Sequence, residues 1–341
     1  MFNLNSIIRP NILALKAYSS ARDEYKGSEG IFLDANENPY GSLNRYPDPN
    51  QLTLKSMLAE RSAVKKENVF IGNGSDELID LAFRIFCIPG KDKAFTFSPT
   101  YGMYNVSAAI NDVELIESPL DSEFQINLNL ALATINKNKP KLIFICSPNN
   151  PTGNTLRISD IESILNSTNG IVIIDEAYID FSNSPSWLTR LNKFPNLIIL
   201  QTFSKARGLA SARIGIGYST PEIIALLNKA KPPYNVSQLN QKAAIQSLNN
   251  EAQYQTNLKL IIAGKKQLEL AFRQIRSIKK IYPSEANFIL IKIDNAELVY
   301  NSLCNMNIIT RNRSAIIANT LRISIGSKEE NEELINALKT L

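Results

Sequence analysis

The chain of 341 residues contains no histidine. This absence excludes a Ser-His-Asp triad, a Cys-His pair, a histidine general base and a histidine-ligated zinc ion within the chain. Any acid–base chemistry must therefore come from lysine, tyrosine, aspartate or glutamate side chains, or from a cofactor.

Cysteine is scarce as well. The three cysteines, Cys87, Cys146 and Cys304, lie far apart and form neither a CxxC motif nor a spacing typical of a metal site. Reduced thiols are typical of proteins in a reducing compartment. We therefore expect a cytoplasmic protein with no bound metal.

Long apolar runs and dense blocks of charge are also missing. No stretch reaches the roughly 18 apolar residues of a membrane-spanning helix, and residues 1–25 lack the apolar core of a signal peptide. The net charge is +5, with lysine and arginine spread along the sequence. These features predict neither a membrane partner nor a nucleic-acid partner.

Short apolar runs of strand length are present in the middle of the chain. Runs of this kind are typical of strands buried on both faces, as in parallel sheets. Segments of helical period lie between them, at Asp76–Phe86 and at Ser159–Leu165, where Ser159 is a candidate N-cap. The alternation predicts an α/β fold with helices on both faces of a large, mostly parallel sheet. The four runs are Ala94–Phe97, Leu142–Cys146, Ile171–Ile174 and Leu197–Leu200.

The pattern changes after Lys231-Pro232-Pro233, because two prolines interrupt a helix. A long helical region is predicted over 237–275, followed by strands at Asn287–Ile293 and Thr320–Ile325. We interpret the last third of the chain as a smaller α+β domain. The predicted divisions are an N-terminal arm at 1–35 that joins the small domain, a large domain at 36–240 and a small domain at 241–341.

Polar side chains follow three of the predicted strands directly. Asn150 comes after the run that ends at Cys146, Asp175 and Tyr178 follow the next run, and Lys205 follows Leu197–Leu200. Ligands of open α/β sheets bind at the carboxyl ends of the strands. Alone, Asp175 fits a helix cap, Lys205 a surface lysine and Asn150-Pro151 a turn. Their common position at strand ends is what favours a shared site.

Pyridoxal phosphate chemistry gives each of these residues a role. Lys205 would form a Schiff base with the aldehyde and later move the proton at the substrate Cα. Asp175 would face the pyridine nitrogen and keep it protonated. Tyr178 and Asn150 would donate to the phenolic oxygen of the ring, and Tyr101, which follows another strand, would stack on the ring face.

A phosphate site is predicted upstream, where Gly72-Asn73-Gly74-Ser75-Asp76 opens a helix. Glycines let backbone N–H groups approach an anion at a helix N-terminus, where the helix dipole favours negative charge. Ser204 and Arg213 would add a hydroxyl group and a positive charge to this phosphate site.

These segments resemble fold-type I aminotransferases, which depend on pyridoxal 5′-phosphate. The resemblance runs from about Leu33 to the C-terminus, and five further strings are similar to histidinol-phosphate aminotransferases in particular. It implies a large mostly parallel sheet domain, a smaller α+β domain and a homodimer with a shared active site. The five strings are Leu33–Pro39, Leu43–Asp48, Asn73–Glu77, Pro99–Tyr104 and Leu321–Gly326.

The resemblance also implies roles for single residues. Ser75, Asp76, Ser204 and Arg213 would surround the cofactor phosphate, and Tyr46 would reach it from the neighbouring subunit. The substrate would contact Tyr18, Asn36, Arg311 and Arg322. The two arginines would bind the phosphate of histidinol phosphate in one half-reaction and a carboxylate of glutamate or 2-oxoglutarate in the other. A planar guanidinium can grip either group with two hydrogen bonds.

Arg207 departs from the small or hydrophobic residue expected after Lys205-Ala206; this puts little in doubt chemically but could alter the local charge near the cofactor. Two alternatives stay open on the same scaffold, an aromatic amino acid aminotransferase and a threonine-phosphate decarboxylase. A pyridoxal-phosphate-binding regulator is a remoter alternative, since such a protein needs an added DNA-binding module.

Overall fold

The computed structural model describes residues 2–18, 25 and 30–341. Its largest unit is a seven-stranded sheet with the strand order β1-β7-β6-β5-β4-β2-β3. All of its strands run parallel except β7, which is antiparallel to both of its neighbours. The strands are β1 (Val69–Asn73), β2 (Lys93–Ser98), β3 (Glu114–Pro119), β4 (Leu142–Cys146), β5 (Ile171–Asp175), β6 (Leu197–Thr202) and β7 (Ile214–Tyr218).

The central strands are buried at every position because helices cover both faces of the sheet. All five residues of β4 and all five of β5 are buried. Alternate side chains point to opposite faces, so Ile143 and Ile145 lie in one apolar core while Leu142 and Phe144 lie in the other. The mostly parallel sheet that the apolar runs predict is confirmed.

Helices connect the strands and begin and end close to the predicted positions. The first part of the chain, up to the pair of prolines, contains seven α-helices among the described residues. They are α1 (Pro10–Ala14), α2 (Leu52–Arg61), α3 (Ser75–Phe86), α4 (Met103–Ile110), α5 (Leu128–Asn138), α6 (Ile158–Ser167) and α7 (Pro221–Ala230).

A second sheet of four antiparallel strands forms in the last part of the chain, in the order β10-β11-β9-β8. Its core contains Phe272, Ile291, Leu303, Ile323 and Leu338, contributed by both strands and helices. The strands are β8 (Ile278–Ile281), β9 (Phe288–Ile293), β10 (Arg311–Asn312) and β11 (Thr320–Ser324). The helices are α8 (Gln238–Asn249), α9 (Glu251–Phe272), α10 (Ala296–Asn305) and α11 (Lys328–Thr340).

Three local expectations differ from the structure. Helix α6 begins one residue before Ser159, and its N-cap is Arg157, so Ser159 lies inside the first turn. The helical region over 237–275 is two helices, because Asn250 leaves helical geometry and caps α9 through its side chain. The start of the arm packs on the large sheet, since Ile7 and Ile8 are buried in the same core as Phe83.

Candidate active site

A cavity of about 570 Å³ lies at the carboxyl edge of the large sheet. Eleven of the fourteen residues predicted for the site line it, and they come from both sheets. The eleven are Ser75, Asp76, Tyr101, Asn150, Asp175, Tyr178, Ser204, Lys205, Arg213, Arg311 and Arg322.

Lys205 lies in a short loop after β6 that is fixed on both sides. Phe203 is buried and donates its backbone N–H to Ile214, and the Lys205 carbonyl accepts from Gly208 at 3.1 Å. The Lys205 Nζ atom lies 5.7 Å from the centre of the Tyr178 ring. Burial lowers the pKa of Lys205, and the positive charge of Arg322 lowers it further. A lowered pKa increases the fraction of neutral amine, which is the nucleophilic form.

Asp175 is the last residue of β5, and its carboxylate is buried beside the cavity. One oxygen accepts from the backbone N–H of Ala177 at 3.0 Å, and the other accepts from the Tyr104 hydroxyl at 2.8 Å. Burial raises the pKa of Asp175 to about 6, although both hydrogen bonds oppose that shift. Tyr104 belongs to the predicted string Pro99–Tyr104, but its contact with Asp175 was not predicted.

Asn150, Tyr178 and Arg322 form a chain of hydrogen bonds across the cavity. The Asn150 amide donates to the Tyr178 hydroxyl at 3.2 Å, and the Asn150 side-chain oxygen accepts from Arg322. Arg322 lies in β11 of the small sheet, while Asn150 follows β4 of the large sheet. The chain therefore connects the two sheets at the cavity.

The start of α3 forms a cradle for an anion. Gly74 is the N-cap and provides no side-chain cap, so the first backbone N–H groups of the helix remain available. The Gly74 N–H donates to the Arg213 carbonyl, and a Cβ atom on Gly74 would lie 2.5 Å from the Arg213 guanidinium. The glycine thus leaves room for Arg213 directly beside the helix start.

Asp76 is the acidic member of this cradle. It accepts from the Tyr101 hydroxyl at 3.1 Å and forms an ion pair with Arg213 at 3.3 Å. As an anion, Asp76 cannot itself attract a phosphate, so its contacts orient the ring of Tyr101 and the guanidinium of Arg213.

Two arginines of the small sheet face each other at the cavity. Arg311 in β10 is directly opposite Arg322 in β11 in the antiparallel register. A third arginine, Arg313, also lines the cavity and was not predicted. Arginines in a loop between short strands look like surface residues in a sequence, so nothing distinguished Arg313 beforehand.

Three predicted residues do not line this cavity. Asn36 and Tyr46 line a second cavity of about 520 Å³, where the Tyr46 ring stacks on Tyr234 at 4.4 Å. Tyr18 is 71% exposed, and the residues that follow it, 19–24, lie outside the described residues. The role of Tyr46 in the site of a neighbouring subunit stays a prediction.

Arg207 turns away from the cavity. Its guanidinium donates to the Ser247 carbonyl and to Glu251, and it lies 4.1 Å from the centre of the Tyr254 ring. Glu251 also binds Arg61 through two hydrogen bonds. The charge of Arg207 is therefore paired with Glu251, and Arg207 does not line the cavity that contains Lys205.

Comparison with known proteins gives the family. Residues 25–338 match the family model for class I and II aminotransferases. The chain belongs to this family. It is 50% identical to the histidinol-phosphate aminotransferase of Christiangramia forsetii over 345 aligned positions, which cover 100% of this chain and 98% of the relative.

Solved structures of the family share the fold. The histidinol-phosphate aminotransferase of Clostridium acetobutylicum matches with a TM-score of 0.80 and 26% identity, covering 87% of this chain and 90% of that one. The enzyme of Sinorhizobium meliloti, solved in complex with pyridoxal 5′-phosphate, matches with a TM-score of 0.80 and 23% identity, covering 90% and 89%. The predicted fold-type I architecture is thereby confirmed.

The aminotransferase family depends on pyridoxal 5′-phosphate, and the donor set of the cavity fits that group. A half-buried primary amine and a buried carboxylate line one cavity, and an uncapped helix start with an arginine lies at its side. Among the described residues, no group of three or more acidic or cysteine side chains is arranged to hold a metal ion. No helix of the described residues is long and apolar enough to cross a membrane.

Proposed function

We propose that the protein is a histidinol-phosphate transaminase that works with pyridoxal 5′-phosphate. It transfers the amino group of L-histidinol phosphate to 2-oxoglutarate, giving imidazole acetol phosphate and L-glutamate in two half-reactions. The observation that carries the proposal is one cavity that contains the Lys205 amine, the Asp175 carboxylate and the facing arginines Arg311 and Arg322. The identity to curated histidinol-phosphate aminotransferases supports the substrate.

Lys205 both holds the cofactor and moves the proton. When bound, pyridoxal 5′-phosphate supplies an aldehyde carbon that bonds to an amine and a ring that accepts the electrons released at the substrate Cα. The chain has no histidine, and the lowered pKa of Lys205 makes its neutral amine available. Lys205 would therefore take the proton from the substrate Cα as a general base and deliver it, as a general acid, to the carbon that the cofactor aldehyde supplies.

Asp175 would face the pyridine nitrogen of the cofactor and keep that nitrogen protonated. Burial raises its pKa to about 6, so the carboxylate is strongly stabilised by a cationic partner. Tyr178 and Asn150, which are joined by a hydrogen bond, would donate to the phenolic oxygen of the ring. Ser75, Ser204, Arg213 and the start of α3 would hold the cofactor phosphate.

Arg311 and Arg322 bind the anionic group of each substrate. One guanidinium can pair with a phosphate or with a carboxylate, which lets one subsite serve both half-reactions. The chain of bonds from Arg322 through Asn150 to Tyr178 links substrate binding to the cofactor ring. Tyr18 and Asn36 complete the substrate contacts in this proposal.

The proposed assembly is a homodimer with shared active sites in the cytoplasm. Large apolar side chains lie exposed around the second cavity, including Leu43 (60%) and Leu239 (57%). Exposed apolar surface of this kind is typical of an interface. Tyr46 and Asn36 line the same cavity, so dimerisation on this face would carry them to the partner's Lys205 cavity.

A competition assay tests the substrate. The purified holoenzyme is offered histidinol phosphate, phenylalanine, tyrosine and threonine phosphate side by side, with 2-oxoglutarate as acceptor. We expect the highest kcat/KM with histidinol phosphate and no turnover in the Lys205→Ala variant. Preference for an aromatic amino acid, or release of CO2 from threonine phosphate, would assign the chain to one of the alternative activities.

A further inference from the structure

Arg313 forms part of the cavity wall without an ionic partner. It follows β10 and lines the same cavity as Arg311 and Arg322. Its backbone N–H donates to Thr320, which fixes the chain beside β11. Among the described residues, no carboxylate oxygen lies within 4.0 Å of a guanidinium nitrogen of these three arginines, which is the distance that defines an ion pair.

The segment around Arg313 has unusually many unpaired polar atoms. The Nε atom of Arg313 is fully buried and has no hydrogen-bond partner, and the same holds for the hydroxyls of Thr310 and Ser314. Buried polar groups are nearly always hydrogen-bonded, and each exception calls for a physical reason. The buried Nε faces away from any ligand, but the terminal nitrogens of the Arg313 guanidinium also form no hydrogen bond with the described residues, so a ligand that accepts hydrogen bonds at this wall of the cavity would pair with them.

The positive charges of the three arginines repel one another. Burial lowers the pKa of Arg313, and the charges of Arg322 and Arg311 lower it further. Arg322 is affected in the same way by burial and by Arg311. The electrostatic free energy of a cluster of like charges without counter-charges is unfavourable. A bound anion offsets this repulsion, and an anion of higher charge offsets more of it.

We propose that Arg313 is a specificity-determining residue that makes this subsite select a phosphate dianion over a carboxylate. The inference rests on the proposed function and assigns to Arg313 a role beyond that of Arg311 and Arg322. A phosphate monoester carries a charge between −1.5 and −2 near pH 7 and offers three acceptor oxygens. A carboxylate carries one charge and two oxygens, which two arginines already satisfy.

The test compares the two half-reactions in Arg313→Gln and Arg313→Lys holoenzymes. In Arg313→Gln we expect kcat/KM for histidinol phosphate to fall about 10- to 100-fold, the effect of one hydrogen bond to a charged group. The kcat/KM for glutamate changes less than about 3-fold, because that ligand gains little from a third charge. Arg313→Lys keeps the charge without the planar fork and recovers part of the loss.

Two controls separate a binding effect from a folding effect. The Arg313 side chain forms no hydrogen bond or ion pair with the described residues, so the melting temperature of both variants stays close to that of the wild type. Arg276→Gln removes an exposed arginine outside the cavity and leaves both half-reactions unchanged. Equal losses in the two half-reactions of Arg313→Gln, or no loss in either, would overturn the inference.

Inorganic phosphate gives a second arm that does not depend on the natural substrate. It competes with glutamate in the holoenzyme, and Arg313→Gln raises its inhibition constant about 10-fold or more. If the wild type fails to convert histidinol phosphate, the proposed function is wrong. The inhibition constant of inorganic phosphate still tests the role of Arg313 in that case. An unchanged inhibition constant contradicts that role.

Discussion

Glu176 and Asp175 are adjacent, buried carboxylates with different surroundings. Asp175 faces the cavity, whereas Glu176 accepts from the Ser186 hydroxyl, the Trp187 backbone N–H and the Gln201 amide. These bonds attach the chain after β5 to the loop at 186–187 and to β6. Glu176 thus supports the strand end that carries Asp175, and it has no part in the proposed chemistry.

Glu176 makes stability depend on pH. Burial raises its pKa from 4.5 to about 7 in the folded state, so the folded protein binds the proton more tightly than the unfolded chain does. The contribution of Glu176 to the unfolding free energy is fully present below about pH 4.5. It is lost as the pH rises through 7, and the loss is about 3 kcal/mol. Asp175, whose pKa is raised to about 6, acts in the same direction.

Glu176→Gln tests this dependence, since glutamine resembles the protonated acid and cannot ionise. We expect the unfolding free energy of the variant to be close to that of the wild type at pH 5. Between pH 5 and pH 8 the difference shifts in favour of the variant by about 2–3 kcal/mol. Urea unfolding at several pH values measures the difference in unfolding free energy between the two proteins. Asp175 is present in both, so its own pH dependence cancels in that difference. A difference that does not change with pH contradicts the raised pKa.

At the residue scale, the sequence predicts the strand-end residues and misses their partners. Asn150, Asp175 and Lys205 follow buried apolar runs, so the end of each run marks the cavity edge. Tyr104 and Arg313 come from a helix and a loop whose approach to the cavity depends on tertiary packing. The position of Tyr46 in a second cavity equally depends on packing that no local pattern encodes.

At the scale of elements, β1 and β7 escape prediction because glycines interrupt their apolar pattern. β7 reads Ile-Gly-Ile-Gly-Tyr and pairs with β1, placing Gly215 opposite Gly72. A Cβ atom on Gly215 would lie 2.2 Å from the Gly74 carbonyl carbon and 2.3 Å from the Ser75 nitrogen. The glycine therefore lets the start of α3 pack directly on the sheet.

Gly215→Ala disturbs this close approach, because both clashing atoms belong to the backbone and cannot rotate away. We expect a loss of about 1–3 kcal/mol or more in unfolding free energy. Cofactor affinity falls as well, since the helix start must shift. Gly102→Ala is the matched stability control, since its added Cβ meets nothing within 4 Å. A Gly215→Ala variant as stable as Gly102→Ala would show that the contact has no energetic importance.

The smaller sheet and the α/β sheet follow from different sequence patterns. Buried strands of a parallel sheet are apolar throughout, whereas β11 alternates, with Leu321 and Ile323 buried and Ser324 exposed. Periodicity does not fix where a helix ends, so the break at Asn250 was missed. Asn250 is both the C-cap of α8 and the N-cap of α9. The residues around it are polar on both sides, so the sequence pattern does not show where one helix ends and the next begins.

At the scale of the whole molecule, the proposed dimer makes each site depend on two subunits. Tyr46 would then serve the cavity of the partner, while Lys205 serves its own. A mixture of Lys205→Ala and Tyr46→Ala subunits distinguishes this arrangement from one within a single chain. In a mixed dimer, one site would contain both intact residues and the other would contain both substitutions.

The two variants are unfolded together, refolded as a mixture and assayed with histidinol phosphate. We expect activity to rise toward about one quarter of the wild-type value, because half of the dimers are mixed and each has one intact site. Each variant refolded alone serves as the control. Activity no greater than the mean of the two variants would place Tyr46 in the site of its own chain.

The most direct test of the central claim is a single-turnover experiment with the intact holoenzyme. Histidinol phosphate is added without an acceptor, the small molecules are removed, and 2-oxoglutarate is then supplied. We expect one equivalent of imidazole acetol phosphate in the first step, one equivalent of glutamate in the second, and neither from Lys205→Ala. Release of glutamate without prior loading, or both products from Lys205→Ala, would contradict the claim.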